Sequence, residues 1–247
     1  MKFYFFIFLT AFRICFPRDF YSLSCFDGRI YVLDGFDKQI FVFDEDGTIT
    51  EKIDLKNISQ SGYFDHFIQY DKYLSYVTDA AGKTVYLLDE NYRLKKSSDI
   101  VLAENSGIFR HIFPSAYNSI ILASEDGTSI YRLTNNILKK IISSDKPFRD
   151  FFFSAAKIYV LFEGSLSVYN SEGVFLKSVN TDLKYNYIYA ENDLVLAGSV
   201  EKFTLFDMKE RKSAEFTAEK DSQAFILSGK LFLFFPGSSH IKRIMNE

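Results

Sequence analysis

Gly28-Arg29-Ile30-Tyr31-Val32-Leu33-Asp34, then Gln39-Ile40-Phe41-Val42-Phe43-Asp44, then Asp46-Gly47 and the stretch from Thr48 to Leu55, is the passage on which the fold turns. It reads as strand, short loop, strand, tight turn, strand. Alternation runs at period two, and an Asp-Gly pair takes positive φ at low cost, so it closes a hairpin. The end of the second of these strands returns along the chain as Phe43-Asp44, Leu88-Asp89, Leu133-Thr134, Tyr169-Asn170, Phe206-Asp207 and Met245-Asn246. The intervals are 45, 45, 36, 37 and 39 residues. The strand before it returns as Tyr31-Val32-Leu33, Tyr76-Val77-Thr78, Ile121-Leu122-Ala123, Tyr159-Val160-Leu161, Leu194-Val195-Leu196 and Leu231-Phe232-Leu233.

Six copies of about 40 residues, each with room for four short strands, predict an all-β six-bladed β-propeller with four-stranded antiparallel blades. The whole chain, 1–247, is then one domain. A helical solenoid is excluded because helical periodicity is absent. A β-sandwich also uses short strands and regular turns, but it gives no reason for one motif to return six times. Composition agrees: 28 Phe and 16 Tyr with no Trp suit pleated, half-buried surfaces.

The first blade resembles the NHL-type repeat of six-bladed propellers. The matching residues are Ile30-Tyr31-Val32-x-Asp34 and Gln39-Ile40-x-Val42-Phe43-Asp44-x-x-Gly47. Tyr76-Val77-Thr78-Asp79 with Val85-Tyr86-Leu87-Leu88-Asp89 is a second match. Later blades drift, with Ser124, Phe162, Ala197 and Phe234 standing where the first has Asp34. The resemblance implies a ligand- or protein-binding platform rather than one activity.

The sixth copy reaches the end of the sequence after its third strand, which leaves a sheet edge to be covered. Two readings of residues 1–16 stand side by side. Met1-Lys2 followed by the apolar run Phe3 to Phe12 is patterned like a secretory leader, with residues 1–14 removed on export. Alternatively Leu9 to Phe16 returns to the last blade as its closing strand. The first reading predicts an exported protein, at the periplasm or cell surface, and the second is compatible with the cytoplasm. The apolar run is too short to span a bilayer, so no transmembrane segment is expected.

Charge excludes one class of partner. With 29 basic and 32 acidic residues and no basic stripe, nucleic acid is not an expected ligand. Cys15 and Cys25 form no disulfide framework and lack zinc spacing. There is no phosphate loop, nucleophile elbow or metalloprotease helix, and no cofactor is implied.

Chemistry concentrates at one repeated position. Aligning the starts of the innermost strands places Asp19, His66, His111, Asp150, Tyr187 and Ala224 around one mouth of the central channel, with Arg18 and Arg149 beside them. Two carboxylates and two imidazoles there suit a divalent metal or a small polar ligand. Equally, they suit hydrogen bonds that satisfy polar groups at strand ends. The loops Phe36 to Lys38, Ala80 to Lys83, Glu125 to Thr128, Lys56 to Tyr63 and Ala103 to Gly107 are expected to share a face. A non-catalytic binding or scaffold propeller for a protein, glycan or small polar ligand follows. The rival is a metal-dependent propeller enzyme of lactonase or lyase type.

Overall fold

The computed structural model describes residues 21–59, 62–79, 84–99, 109–116, 119–124, 126–134, 137–235 and 240–244. Those residues form six small antiparallel sheets and no helix, which is a six-bladed β-propeller. The first blade is β1 (Tyr21–Phe26), β2 (Arg29–Asp34), β3 (Gln39–Phe43) and β4 (Ile49–Asp54), hydrogen-bonded in that order. The second is β5 (His66–Gln69), β6 (Ser75–Asp79), β7 (Thr84–Leu88) and β8 (Leu94–Asp99). The third is β9 (Phe109–Ala116), β10 (Ser119–Ser124), β11 (Ser129–Thr134) and β12 (Ile137–Ser143). The fourth is β13 (Asp150–Ser154), β14 (Lys157–Phe162), β15 (Ser165–Asn170) and β16 (Phe175–Asn180). The fifth is β17 (Tyr187–Glu191), β18 (Leu194–Gly198), β19 (Lys202–Asp207) and β20 (Lys212–Thr217). The sixth has three described strands, β21 (Gln223–Leu227), β22 (Lys230–Phe235) and β23 (His240–Ile244).

Burial grades outward across each blade. The second strands β2, β6, β14, β18 and β22 are almost continuously buried, because both faces of each sheet lie against neighbouring blades. This is why they read as unbroken apolar runs. The fourth strands β4, β8, β16 and β20 are exposed along most of their length and are rich in polar residues such as Lys and Ser. Packing therefore runs between blades. One core cluster joins Ile30, Val32 and Phe43 of the first blade to Phe225, Phe232 and Phe234 of the sixth, so the ring closes.

The Asp or Asn that recurs at the end of the third strand in four blades is turn chemistry. Asp44 Oδ1 accepts from the N–H groups of Asp46 and Thr48 at 3.0 and 2.9 Å, and Gly47 sits at φ +80°. Asp89, Asn170 and Asp207 cap their turns in the same way. A short side chain that accepts two backbone N–H groups holds the turn before the fourth strand begins.

Candidate functional site: the channel mouth and the loop face

The innermost strands lie side by side around the axis, and their first residues circle one mouth. His66, Asp150 and Tyr187 begin β5, β13 and β17, and His111 falls in the first half of β9. Arg18 and Asp19 lie outside the described residues. Pairing sets the register: His66 is opposite Thr78, Asp150 opposite Leu161, and Ser22 opposite Leu33. Ser22 is thus the equivalent residue in β1, and Ala224, opposite Leu233, holds the position in β21 as expected. The three-residue difference between Asp19 and Ser22 was hidden in the sequence because the connections between blades differ in length.

These side chains reach from one blade to the next. Ser22 Oγ accepts from the Phe67 N–H at 3.3 Å, and Ser24 Oγ from the Gln69 N–H at 3.2 Å. Asp150 Oδ2 accepts from the Ile188 N–H at 2.9 Å while its Oδ1 takes the Phe151 N–H at 2.8 Å. Tyr187 Oη accepts from the Ala224 N–H at 3.4 Å. Each innermost strand is the edge of its sheet, so its outward N–H groups need acceptors, and at these three seams the preceding blade supplies them. Arg149 is held likewise. Its guanidinium donates to the carbonyls of Leu183 and Tyr185 and pairs with Glu163 at 3.1 Å.

From His66 at the mouth to residues two positions deeper, rings pack from blade to blade. His66 lies 5.8 Å from Phe113, Phe113 5.1 Å from Phe152, Phe152 4.7 Å from Tyr189, and Tyr189 6.2 Å from Phe225. This aromatic circuit passes through five successive innermost strands. Cys25 of β1 lies beside its far end, with its Sγ 3.9 Å from the Ile226 carbonyl and bonded to Tyr189. Below its mouth the channel is core. Among the described residues, no group of three or more His, Cys, Asp and Glu side chains is placed to hold a metal ion. The aromatic circuit escaped the sequence reading, although its signal was there: an apolar residue stands two positions after most ring residues.

A groove of about 590 Å³ opens on the loop face, between the first two blades. It is lined by Phe36, Asp37 and Lys38 from the β2–β3 loop, and by Lys56, Ser59, Gly62 and Tyr63 from the β4–β5 connection. Two loop groups expected to share a face therefore do. Their shape is set by bonds between them. Asp34 Oδ1 accepts from the N–H groups of Phe36 and Asp37 at 3.1 and 2.9 Å. Lys38 accepts from the Leu55 N–H at 2.8 Å, its ammonium donates to the Ser59 carbonyl at 2.8 Å, and Phe64 N–H reaches Gly35 at 3.1 Å. The Lys38 ammonium also lies 5.3 Å over the Phe64 ring. Lys38 itself is at φ +53°, an uncommon backbone state for a residue with a side chain. Phe36 stands 71% exposed at the rim.

No family model and no curated protein matches the sequence. Solved structures do match in fold. A streptogramin B lyase structure is 12% identical, with 94% of this chain and 82% of that chain covered and a TM-score of 0.64. A virginiamycin B lyase from Staphylococcus aureus is 11% identical, with 92% and 80% covered and a TM-score of 0.59. Kluyveromyces lactis Hsv2 is 11% identical, with 92% and 73% covered and a TM-score of 0.55. Likeness at such identity carries the fold alone. These structures support the six-bladed propeller fold and do not establish the NHL-type family.

Proposed function

We propose that this propeller is a non-catalytic binding module that holds a small polar ligand, or a protein or glycan segment, on its loop face between the first and second blades. One observation carries the reading. The connection between those blades occupies residues 55–65, whereas residues 144–149, 181–186 and 218–222 suffice for the crossings into the fourth, fifth and sixth blades. The extra length is bonded to the β2–β3 loop and folds into a groove with an exposed aromatic rim. Loops longer than their crossing requires, held rigidly on a scaffold, are where binding concentrates. The channel-mouth residues support the same reading from the other side, since Asp150, Tyr187 and Ser22 are engaged in joining blades.

The reading is tested by mapping a fragment and oligosaccharide panel onto the backbone amides by NMR. Hits are expected to move residues 36–38, 56–59 and 62–63, and Phe36→Ser with Lys56→Glu is expected to weaken them about tenfold with an unchanged melting temperature. The opposing enzyme reading has its own signature. Stoichiometric metal in the purified protein, lost together with fragment binding in His66→Ala, would place the working site at the channel mouth and overturn the proposal.

A further inference from the structure

We infer that the occupant of the loop-face groove is a small zwitterion of the amino-acid class, with its ammonium against Asp37 and its acid group against Lys56. The inference rests on the binding reading above and adds to it the charge of the ligand. Two exposed side chains of opposite sign line the groove, Asp37 from the β2–β3 loop and Lys56 from the β4–β5 connection. At both positions it is the backbone that is bonded: the Asp37 N–H donates to Asp34 Oδ1, and the Lys56 N–H donates to Asp54 Oδ1 at 2.8 Å. Among the described residues, neither side chain enters a hydrogen bond or an ion pair, with the other or with a neighbour. The remaining charges beside the groove are engaged. The Lys38 ammonium is held by the Ser59 carbonyl and the Phe64 ring. Asp79, 4% exposed, lies against Gly62, where an added β-carbon would come 3.1 Å from its Oδ2.

Opposite charges that line one groove without meeting fit a molecule that carries both. A purely anionic ligand would strip water from Asp37 and give it no partner, and a purely cationic one would do the same to Lys56. A neutral sugar would leave both charges without a counter-ion, so each of these alternatives loses affinity. The two loops are fixed to one another by the bonds from Lys38 to Leu55 and Ser59 and from Phe64 to Gly35, so little ordering remains to be done on binding. Phe36, 71% exposed, adds a ring beside the Asp37 carboxylate in sequence, and an ammonium that sheds water is drawn to such a ring. Size agrees, since about 590 Å³ falls in the range of about 300–1,000 Å³ that suits a small molecule.

Titration of the full chain with the L-amino acids and glycine betaine, read at the backbone amides by NMR, provides the test. L-phenylalanine, phenethylamine and hydrocinnamate form a matched set that carries both charges, the cation alone and the anion alone. Zwitterions are expected to move residues 36–38, 56–59 and 62–63, and to bind about tenfold or more tighter than either singly charged analogue. Asp37→Asn should remove the advantage over the acid, and Lys56→Gln the advantage over the amine, each with an unchanged melting temperature. Lys56→Glu should reverse the order, so that the amine binds more tightly than the amino acid. Groove shifts that show no preference for zwitterions over the analogues would overturn this inference and leave the binding reading standing, as would a panel in which other fragments bind there and no zwitterion does. Shifts confined to the channel mouth would overturn both.

Discussion

Cys25 and Tyr189 show how much a single position on the axis is set by its surroundings. Burial pushes the Cys25 thiol up from its ordinary 9.0 to about 12, and burial likewise raises Tyr189 well above its usual value. Both groups are neutral in the fold, so their contribution is complete below the unfolded values. It is lost as pH rises through the window between those values and the raised ones. Stability to urea is therefore expected to hold near neutrality and to fall between about pH 9 and 12. Cys25→Ala should flatten part of that fall, and the native thiol should resist alkylation at pH 7 until the protein unfolds. Asp150 makes a second case. Its two oxygens serve N–H groups of two blades, so Asp150→Ala should cost about 1–3 kcal/mol in urea unfolding by leaving donors unpaired. An unchanged midpoint would show that water replaces the carboxylate at no cost, and that the mouth is free for a ligand.

At the scale of the element, turns between third and fourth strands link local sequence to blade packing. Gly173 sits at φ +83°, and a β-carbon there would overlap the Ile141 carbonyl oxygen of the preceding blade. Gly47 is placed in the same way, 2.6 Å from the Ile241 carbonyl oxygen for such a carbon. Gly229, in the β21–β22 turn, has φ +70° and nothing within 4 Å. Alanine at Gly229 is expected to cost about 1 kcal/mol from backbone strain alone. At Gly47 or Gly173 the loss should be larger by about 1–3 kcal/mol, because the neighbouring blade must also move. Equal midpoints for the three variants in thermal unfolding would refute the account. The sequence showed Asp-Gly as hairpin chemistry, but the second reason for glycine was contact with a residue far along the chain.

Across the whole molecule, stability belongs to interfaces between blades. Phe152 packs against three of the core clusters, joining the third, fourth, fifth and sixth blades at the axis. Phe152→Ala is expected to cost about 3–5 kcal/mol and to lower a single cooperative transition, rather than to free one blade. Two transitions in calorimetry would contradict that picture. Charged contacts cross the same seams. The Arg132 guanidinium bonds Glu172 and holds its carboxyl below the ordinary 4.5, and Lys157 does the same for Asp193, whose ordinary value is 3.8. Carboxylates lowered in the fold contribute above their unfolded values and lose that contribution as pH falls through the lowered ones. Acid sensitivity is thus expected below about pH 4.5, and it should weaken with added salt because these groups are exposed.

The repeated strand pattern by itself determined the six-bladed propeller, since alternation, Asx turns and second strands buried on both faces are local or nearest-neighbour properties that leave a mark on every copy. It also indicated that residues 36–38 and 56–63 share a face, and the groove lined by Phe36, Lys38, Lys56 and Tyr63 joins them; residues 80–83 and 103–107 lie outside the described residues. The innermost strands, the β4–β5 crossing and the aromatic axis were decided by tertiary structure. Connections of unequal length moved the first blade's position to Ser22, while Ala224 kept its place in the sixth. Whether Asp150 faces a ligand or the Ile188 N–H depends on the neighbouring blade, and no spacing within one repeat records that. Phe113, Phe152, Tyr189 and Phe225 are separated by tens of residues and meet only when the ring closes, so their contact has no local signature. The groove has the same origin: the lengths of its two loops were legible, but the bonds from Lys38 to Leu55 and Ser59 that give it shape form only once β2, β3 and β4 have paired.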